Sequence, residues 1–216
     1  MFKNRIEAGK LLAKKLVAYK DKEGVILAVP RGGVPLAAEV ARELHLPLDI
    51  ILVKKIGHPF NKEYAIGAAG MNDSFVIPHE NVSDTYVNEE IQRIRIRLKE
   101  MQHQFLGERE PINLQNKTII VIDDGIATGN TLLATIKILK KSMPSKIIIA
   151  TPVVSRSAAQ KLEVEVDELV SLMIPEYFNS VGGFYDDFRQ VEDQEVIDCL
   201  AALKNDEMVK AGDDHQ

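Results

Sequence analysis

The most chemically informative part of the chain is an apolar run that ends in two adjacent acids. Residues 119–122 are all β-branched, as expected of a strand that is buried on both faces of a parallel sheet. Asp123 and Asp124 follow directly, so their carboxylates lie at the carboxyl end of that strand, where open α/β sheets bind ligands. Carboxylates at this place accept hydrogen bonds from a polyol or orient a hydrated divalent cation.

A turn rich in glycine and threonine follows the acids and opens a helical pattern. It consists of Thr128, Gly129, Asn130 and Thr131. Free backbone N–H groups, two hydroxyls and the positive end of the helix dipole converge there, as a phosphate requires. Two acids after a strand are also typical of receiver domains and metal-dependent phosphotransfer enzymes. The phosphate turn at this spacing favours a different ligand, a ribose 5-phosphate.

A second candidate site is the turn formed by Arg31, Gly32 and Gly33, between another apolar strand and a helix. The glycines let the backbone approach a ligand closely, and backbone N–H groups in such a turn can line an anion. Arg31 adds a charged fork suited to phosphate oxygens. A tight strand-to-helix turn without any ligand accounts for the same residues, so this turn alone is a weak signal.

A third feature is the polar segment 54–64, which begins with Lys54 and Lys55. The lysines follow a predicted strand and therefore lie on the ligand-binding edge of the sheet. Gly57 and Pro59 disfavour regular structure, so we expect an irregular loop. The alternative interpretation is a surface loop with solvated lysines.

The C-terminal part of the chain is unusually aromatic. Residues 175–188 contain Tyr177, Phe178 and Tyr185, whose rings could stack on a flat ligand in an acceptor site. The alternative is a satellite hydrophobic cluster that ties this segment to the sheet, or a contact between two subunits.

Length and composition indicate one ordinary domain. A net charge of −5 and a pI of about 5.6 argue against nucleic acid or a membrane surface as the main partner. Cys199 is the only cysteine and the five histidines are scattered, which excludes disulfides and thiolate zinc sites. No apolar run resembles a signal peptide or a membrane span. We expect a cytoplasmic protein with one domain at 1–204 and a disordered tail at 205–216.

Apolar runs alternate with amphipathic segments along the chain. The predicted strands are 24–29, 48–53, 65–70, 74–78, 119–122, 146–154 and 168–174. The predicted helices are 5–19, 35–44, 85–105, 128–141 and 155–162. This alternation predicts an α/β fold with three α/β/α layers and a mainly parallel sheet of about five to six strands.

The stretch at 119–132 resembles the phosphoribosyl-pyrophosphate (PRPP) motif of type I phosphoribosyltransferases, in which an apolar strand leads to two acids and then to Thr-Gly-x-Thr. The turn at 28–33 resembles their pyrophosphate loop, most closely in xanthine-guanine enzymes, and the segment 54–64 corresponds to their mobile flap. Nearly the whole chain resembles a poorly characterised bacterial group of phosphoribosyltransferase-like proteins. Its pattern is carried here by Phe178, Val181, Gly182, Tyr185 and Phe188.

The resemblance implies a fold with a small hood from the terminal segments, and a Mg²⁺-dependent transfer from PRPP to a nucleobase or related nitrogen acceptor, as in nucleotide salvage. Asp123 and Asp124 would hold the ribose hydroxyls and orient Mg²⁺ indirectly, through PRPP or water. The turn from Ala127 to Thr131 would bind the 5-phosphate. The departing pyrophosphate would be stabilised by Arg31, Gly32, Gly33, Lys54 and Lys55.

Several implications of the resemblance concern the acceptor and the state of the protein. Ala127 stands where 6-oxopurine enzymes usually carry an Asp, which counts against hypoxanthine, guanine and xanthine as acceptors. Family loops of this kind commonly contain a cis peptide, so we predict one between Pro30 and Arg31. The family is commonly dimeric. A regulator that senses PRPP or a nucleotide without turnover is the alternative function.

Overall fold

The computed structural model describes residues 1–79 and 81–213, with the backbone alone at residue 63 and at residues 204–213. The strands are β1 (Gly24–Ala28), β2 (Leu48–Ile50), β3 (Lys54–His58), β4 (Asn61–Ala69), β5 (Ser74–Val76), β6 (Thr118–Ile122), β7 (Lys146–Val153) and β8 (Glu168–Met173). The helices are α1 (Arg5–Lys15), α2 (Gly33–Leu44), α3 (Asp84–Leu106), α4 (Asn130–Lys141), α5 (Arg156–Glu163) and α6 (Asp193–Asp213).

Five parallel strands form the main sheet, in the order β2-β1-β6-β7-β8. After β1 the chain continues to β2 at one edge of the sheet, whereas after β6 it continues to β7 and β8 toward the other edge. Ala28 at the end of β1 pairs with Ile122 at the end of β6, so the two strands end level with one another. These strands therefore form the switch point at which open α/β sheets bind ligands.

Helices cover both faces of the main sheet, because alternate strand side chains point to opposite faces. Ile120 and Ile122 pack in a core cluster with residues of α1, α2, α3 and α6. Ile119 and Val121 pack on the other face with residues of α4 and α5. This arrangement confirms the predicted three-layer α/β fold and explains why the run at 119–122 is apolar throughout.

A second, antiparallel sheet of β3, β4 and β5 lies beside the main sheet. The sequence predicted an irregular segment at 54–64, and this prediction is wrong, because β3 and the start of β4 form a hairpin. Ile56 and Ile66 of this hairpin are fully buried in the main core. The hairpin is therefore held by the packing of these two residues against the rest of the molecule. The polar residues between them in sequence gave no sign of this burial.

The N-terminal residues and the C-terminal segment meet next to the main sheet. We call residues 175–189 the hood segment. Phe2 forms a parallel bridge with Tyr185. The backbone N–H of Phe2 donates to Phe184 O, and the N–H of Asp186 donates to Phe2 O, both at 2.8 Å. The two terminal parts of the domain thus form one structural unit.

The last helix extends well into the segment predicted to be disordered. The prediction covered residues 205–216, but α6 runs to Asp213, and residues 205–211 contain no proline or glycine that would end it. Residues 214–216 lie outside the described part of the chain. Among the described helices, none is long and apolar enough to cross a membrane.

Candidate active site

Two acids lie at the carboxyl end of β6, as the sequence predicted. The backbone N–H of Asp124 donates to Asp123 Oδ1 at 3.0 Å, so the side chain of the first acid is turned back onto its neighbour. Burial raises the pKa of Asp123 to about 8, and the charge of Asp124 adds to this effect. A cationic or hydrogen-bonding ligand at this place would relieve the cost of ionising Asp123.

Asp124 forms an ion pair with Arg5, a residue that the sequence analysis did not select. Arg5 Nε donates to Asp124 Oδ2 at 2.8 Å, and both side chains are largely buried, with 11% and 14% of their surface exposed. Burial raises the pKa of Asp124, whereas the hydrogen bond and charge of Arg5 lower it. The guanidinium therefore favours the ionised carboxylate.

Arg5 is itself held by the hood segment. Its Nη1 donates to the backbone oxygen of Arg189 at 2.8 Å, and its Cζ lies 4.0 Å from the centroid of the Phe188 ring. The one sequence signal for such a role is its place in the first turn of α1, where a positive charge is disfavoured by the helix dipole. A negatively charged partner outside the helix would offset this unfavourable interaction.

The turn after β1 lies directly against the acids. A Cβ added to Gly32 would lie 2.0 Å from Asp124 Oδ2, and one added to Gly33 would lie 2.7 Å from the backbone oxygen of Ile122. Arg31 is half-buried, with Nη1 3.5 Å from Asp193 Oδ1. The Pro30–Arg31 peptide bond is cis, which confirms the prediction. The structure therefore brings the Arg31 turn and the acid pair together at the ends of β1 and β6.

The phosphate turn precedes α4. Gly129 is its N-cap and has φ +71°, a left-handed conformation that glycine adopts easily. A Cβ there would also lie 3.3 Å from the Cβ of Ala158 on α5. The rest of the turn lies toward the surface, with Thr128, Asn130 and Thr131 lining a cleft. The side chains proposed to bind phosphate are accessible, and the helix begins two residues later than predicted.

The two lysines of β3 lie on different sides of the hairpin, as adjacent strand residues do. Lys55 lines a cleft of about 490 Å³ together with Thr128, Asn130 and Thr131. Burial and the nearby charge of Arg97 on α3 lower the pKa of Lys54. The structure therefore brings Lys55 to the phosphate turn, while Lys54 faces α3.

The predicted aromatic residues do not form a single open surface. Tyr185 is buried, its ring centroid lies 5.3 Å from that of Phe2 and 4.9 Å from that of Phe188, and its hydroxyl donates to the backbone oxygen of Asp124 at 2.6 Å. Phe178 packs on Phe184 with 5.5 Å between ring centroids. Tyr177 is 83% exposed. Tyr185 thus supports the loop that carries Asp123 and Asp124, which we call the acid loop. For this residue the structure agrees with the alternative prediction of a hydrophobic cluster and not with an open acceptor site.

A family model described as the phosphoribosyl transferase domain matches residues 3–189, which is most of the chain and includes Arg5, the acid pair, the Arg31 turn, the phosphate turn and the hood segment. The chain belongs to the phosphoribosyl transferase family.

Two comparisons relate this phosphoribosyl transferase domain to individual proteins. It is 34% identical over 211 residues to proteins of two Mycobacterium tuberculosis strains, MT0597 and Rv0571c, which are named as candidate phosphoribosyl transferases. The match covers 95% of this chain and 48% of each relative, so the chain spans about half the length of the curated relatives it matches. The crystal structure of TT1426 from Thermus thermophilus has a TM-score of 0.84 and 34% identity, and the match covers 92% of this chain and 97% of that one.

The phosphoribosyl transferase domain offers few ligands to a metal ion. Among the residues whose side chains the structure describes, no group of three or more His, Cys, Asp or Glu is placed to hold one. Asp123 and Asp124 are adjacent, but one oxygen of Asp124 is taken by Arg5. This donor set fits Mg²⁺ that takes most of its ligands from substrate oxygens and water, which is a common arrangement for this ion.

Proposed function

We propose that the protein transfers the 5-phosphoribosyl group of PRPP to a nucleobase or related nitrogen acceptor and releases pyrophosphate. The observation that supports this proposal best is the meeting of three features at the level ends of β1 and β6. These are the acid pair after β6, the accessible phosphate turn before α4, and the Arg31 turn whose Gly32 touches Asp124. The proposal includes a role in nucleotide salvage and a cytoplasmic location.

Each feature has a role in this reaction. The carboxylates of Asp123 and Asp124 would accept hydrogen bonds from the ribose 2- and 3-hydroxyls. The backbone N–H groups of the phosphate turn, with the hydroxyls of Thr128 and Thr131, would hold the 5-phosphate, so that binding far from the reacting carbon helps to position it.

The departing pyrophosphate would meet donors on two sides. Arg31 and the backbone N–H groups of Gly32 and Gly33 would face it from the β1 turn, and Lys55 would approach from the hairpin. Lys54, which the sequence placed in the same role, would act less directly because it faces α3. Bound Mg²⁺ would add positive charge where negative charge develops. Catalysis would then consist mainly of positioning and electrostatic stabilisation.

The acceptor site is the less defined half of the proposal. Ala127 offers no carboxylate to exchange a proton with a purine, which favours acceptors other than 6-oxopurines. We assign Tyr177 and Phe178 to the acceptor side, since both lie in the hood segment and neither is buried. Tyr185 contributes by supporting Asp124 and not by contact with the acceptor.

The proposal is tested by incubating the protein with Mg²⁺, PRPP and a panel of purine and pyrimidine bases and following pyrophosphate release. Release that depends on one base, and that is lost in Asp124→Asn, would support it. Asp21→Asn is a matched control, because Asp21 pairs with His45 on the surface. Tight PRPP binding without turnover on any base would indicate a regulator, and PRPP consumption without an acceptor would indicate a hydrolase.

A further inference from the structure

Arg5 stands out because it is a largely buried cation in the candidate site for which the proposed reaction has so far no use. It lies 119 residues from Asp124 in sequence, and their ion pair joins the first turn of α1 to the end of β6. One member of this buried ion pair is a proposed ligand-binding group. Loss of Arg5 would therefore affect the site more than loss of a surface ion pair would, because it leaves a buried charge unpaired.

The guanidinium of Arg5 is fixed in three directions. Nε faces Asp124, Nη1 faces the backbone oxygen of Arg189, and Cζ lies over the Phe188 ring, 4.0 Å from its centroid. Only a planar group with several separate N–H donors can make these contacts together, which distinguishes arginine from lysine at this position. The hood segment thus determines where the charge of Arg5 lies.

The carboxylate of Asp124 is fixed in turn. Its Oδ2 is held by Arg5 on one side and lies against Gly32 on the other, where even a methyl group would not fit. The backbone oxygen of the same residue accepts from Tyr185. The hydrogen bond that Arg5 makes to this side chain ends on Oδ2 and does not involve Oδ1.

We infer that Arg5 is a positioning residue for the phosphoribosyl site: it holds Asp124 in the orientation that binds the ribose hydroxyls and connects that orientation to the hood segment. This inference rests on the proposed function for its ligand, but the contacts that support it stand on geometry alone. Arg5 acts through Asp124 and does not touch the substrate.

Kinetics of Arg5→Ala test the inference in an active enzyme. A carboxylate displaced by about 1 Å lowers catalysis on the order of 100-fold, and we expect kcat to fall by about this factor while KM for PRPP rises and KM for the acceptor stays unchanged. A role limited to stability would lower the amount of folded enzyme and leave KM for PRPP as it was. Guanidinium ion at millimolar concentration should restore activity to Arg5→Ala, whereas methylammonium should restore much less.

Two further variants sharpen the comparison. Arg5→Lys keeps the charge but cannot make the three contacts, so its activity should lie between those of wild type and Arg5→Ala. Arg93→Ala removes a cation that is 72% exposed and pairs with Glu90 on its own helix, and it should behave like wild type. Tighter PRPP binding in Arg5→Ala would overturn the inference, because it would mean that Arg5 blocks Asp124.

A crystal structure of Arg5→Ala separates this inference from the proposed function. We expect the Asp124 carboxylate to leave its place beside Gly32 even if the protein turns over no substrate. An unchanged carboxylate would overturn the inference while leaving the proposed reaction intact. A wild-type protein that neither binds nor consumes PRPP would overturn the proposed function instead, and the position of the carboxylate would still decide whether Arg5 orients it.

Discussion

The Cα of Gly32 faces the carboxylate of Asp124 so closely that a Cβ at this position would lie 2.0 Å from Oδ2. These residues follow different strands, β1 and β6, which end at the same level in the sheet. Gly32 has φ −59° and ψ −35°, a conformation open to any residue. Glycine is therefore required here by the neighbouring acid and not by the backbone.

Gly32→Ala should displace the Asp124 carboxylate. We expect pyrophosphate release to fall on the order of 100-fold and the free energy of unfolding to fall by about 1–3 kcal/mol, as for other overpacked sites. Steady-state kinetics and denaturant unfolding measure the two effects. Gly183→Ala is the control, because its Cβ would lie 3.7 Å from Ser180 Oγ, an ordinary contact. Wild-type activity in Gly32→Ala would show that the acid is not held there.

Asp123→Asn should make the protein more stable in a way that depends on pH. Burial raises the pKa of Asp123 to about 8, so the unfolded chain ionises this group at lower pH than the folded protein does. Stability is then lost as pH rises from about 4 to about 8. We expect the variant to gain about 1–3 kcal/mol near pH 8 and almost nothing near pH 4. A gain that shrinks with rising pH would contradict this assignment.

Thr131→Val should weaken binding of the 5-phosphate. A hydrogen bond to a charged group contributes about 1.5–3 kcal/mol, so KM for PRPP should rise at least about 10-fold while KM for the acceptor changes little. Thr118→Val is a matched control, since Thr118 begins β6 at the opposite end from the acids. Equal KM values for the two variants would exclude a phosphate contact by the Thr131 hydroxyl.

Lys55→Ala and Lys54→Ala should differ, although the two residues are adjacent. Lys55 lines the cleft with the phosphate turn, so its removal should raise KM for PRPP about 10-fold, as expected for one lost charged contact. Lys54 faces α3, and its loss should change KM for PRPP less than that of Lys55. Titration of PRPP binding by calorimetry compares them directly. The reverse order would mean that the hairpin rotates when the ligand binds.

Gly125→Ala should destabilise the contact between the acid loop and the hood segment. A Cβ on Gly125 would lie 2.2 Å from Val181 Cγ1, and we expect a loss of about 2 kcal/mol. Val181→Ala removes both methyl groups that clash, so the double variant should lose less than the sum of the single losses, with a coupling of at least about 0.5 kcal/mol. Additive losses would show that the two residues do not pack together.

The sequence predicted the parts of the molecule that depend on short stretches of chain. Residues 119–122 form a strand because their side chains are buried on both faces, and that apolar run is visible in the sequence itself. The acids, the phosphate turn and the Arg31 turn are likewise contiguous motifs. The parallel arrangement then follows from the alternation of strands and helices, which brings the three motifs to one edge of the sheet.

Two features could not be predicted because their causes are not local. The hairpin of β3 and β4 depends on the burial of Ile56 and Ile66 against other elements, and its intervening polar residues suggested a loop. The role of Arg5 depends on a partner 119 residues away. Tyr185 shows the same limit, since an aromatic residue in a candidate acceptor segment carries no sign of which way its ring faces.

The link from Arg5 to the backbone oxygen of Arg189 spans 184 residues, and it has a consequence for synthesis of the protein. The strands that carry the acids and the Arg31 turn leave the ribosome long before residues 181–189 do. Until those residues emerge, Arg5 lacks the Phe188 ring and the Arg189 carbonyl that hold it, so by our inference it would not yet orient Asp124. Under the proposed function, a nascent chain would therefore possess every loop of the site before it could bind a ribose, and activity would begin only after the hood segment has emerged.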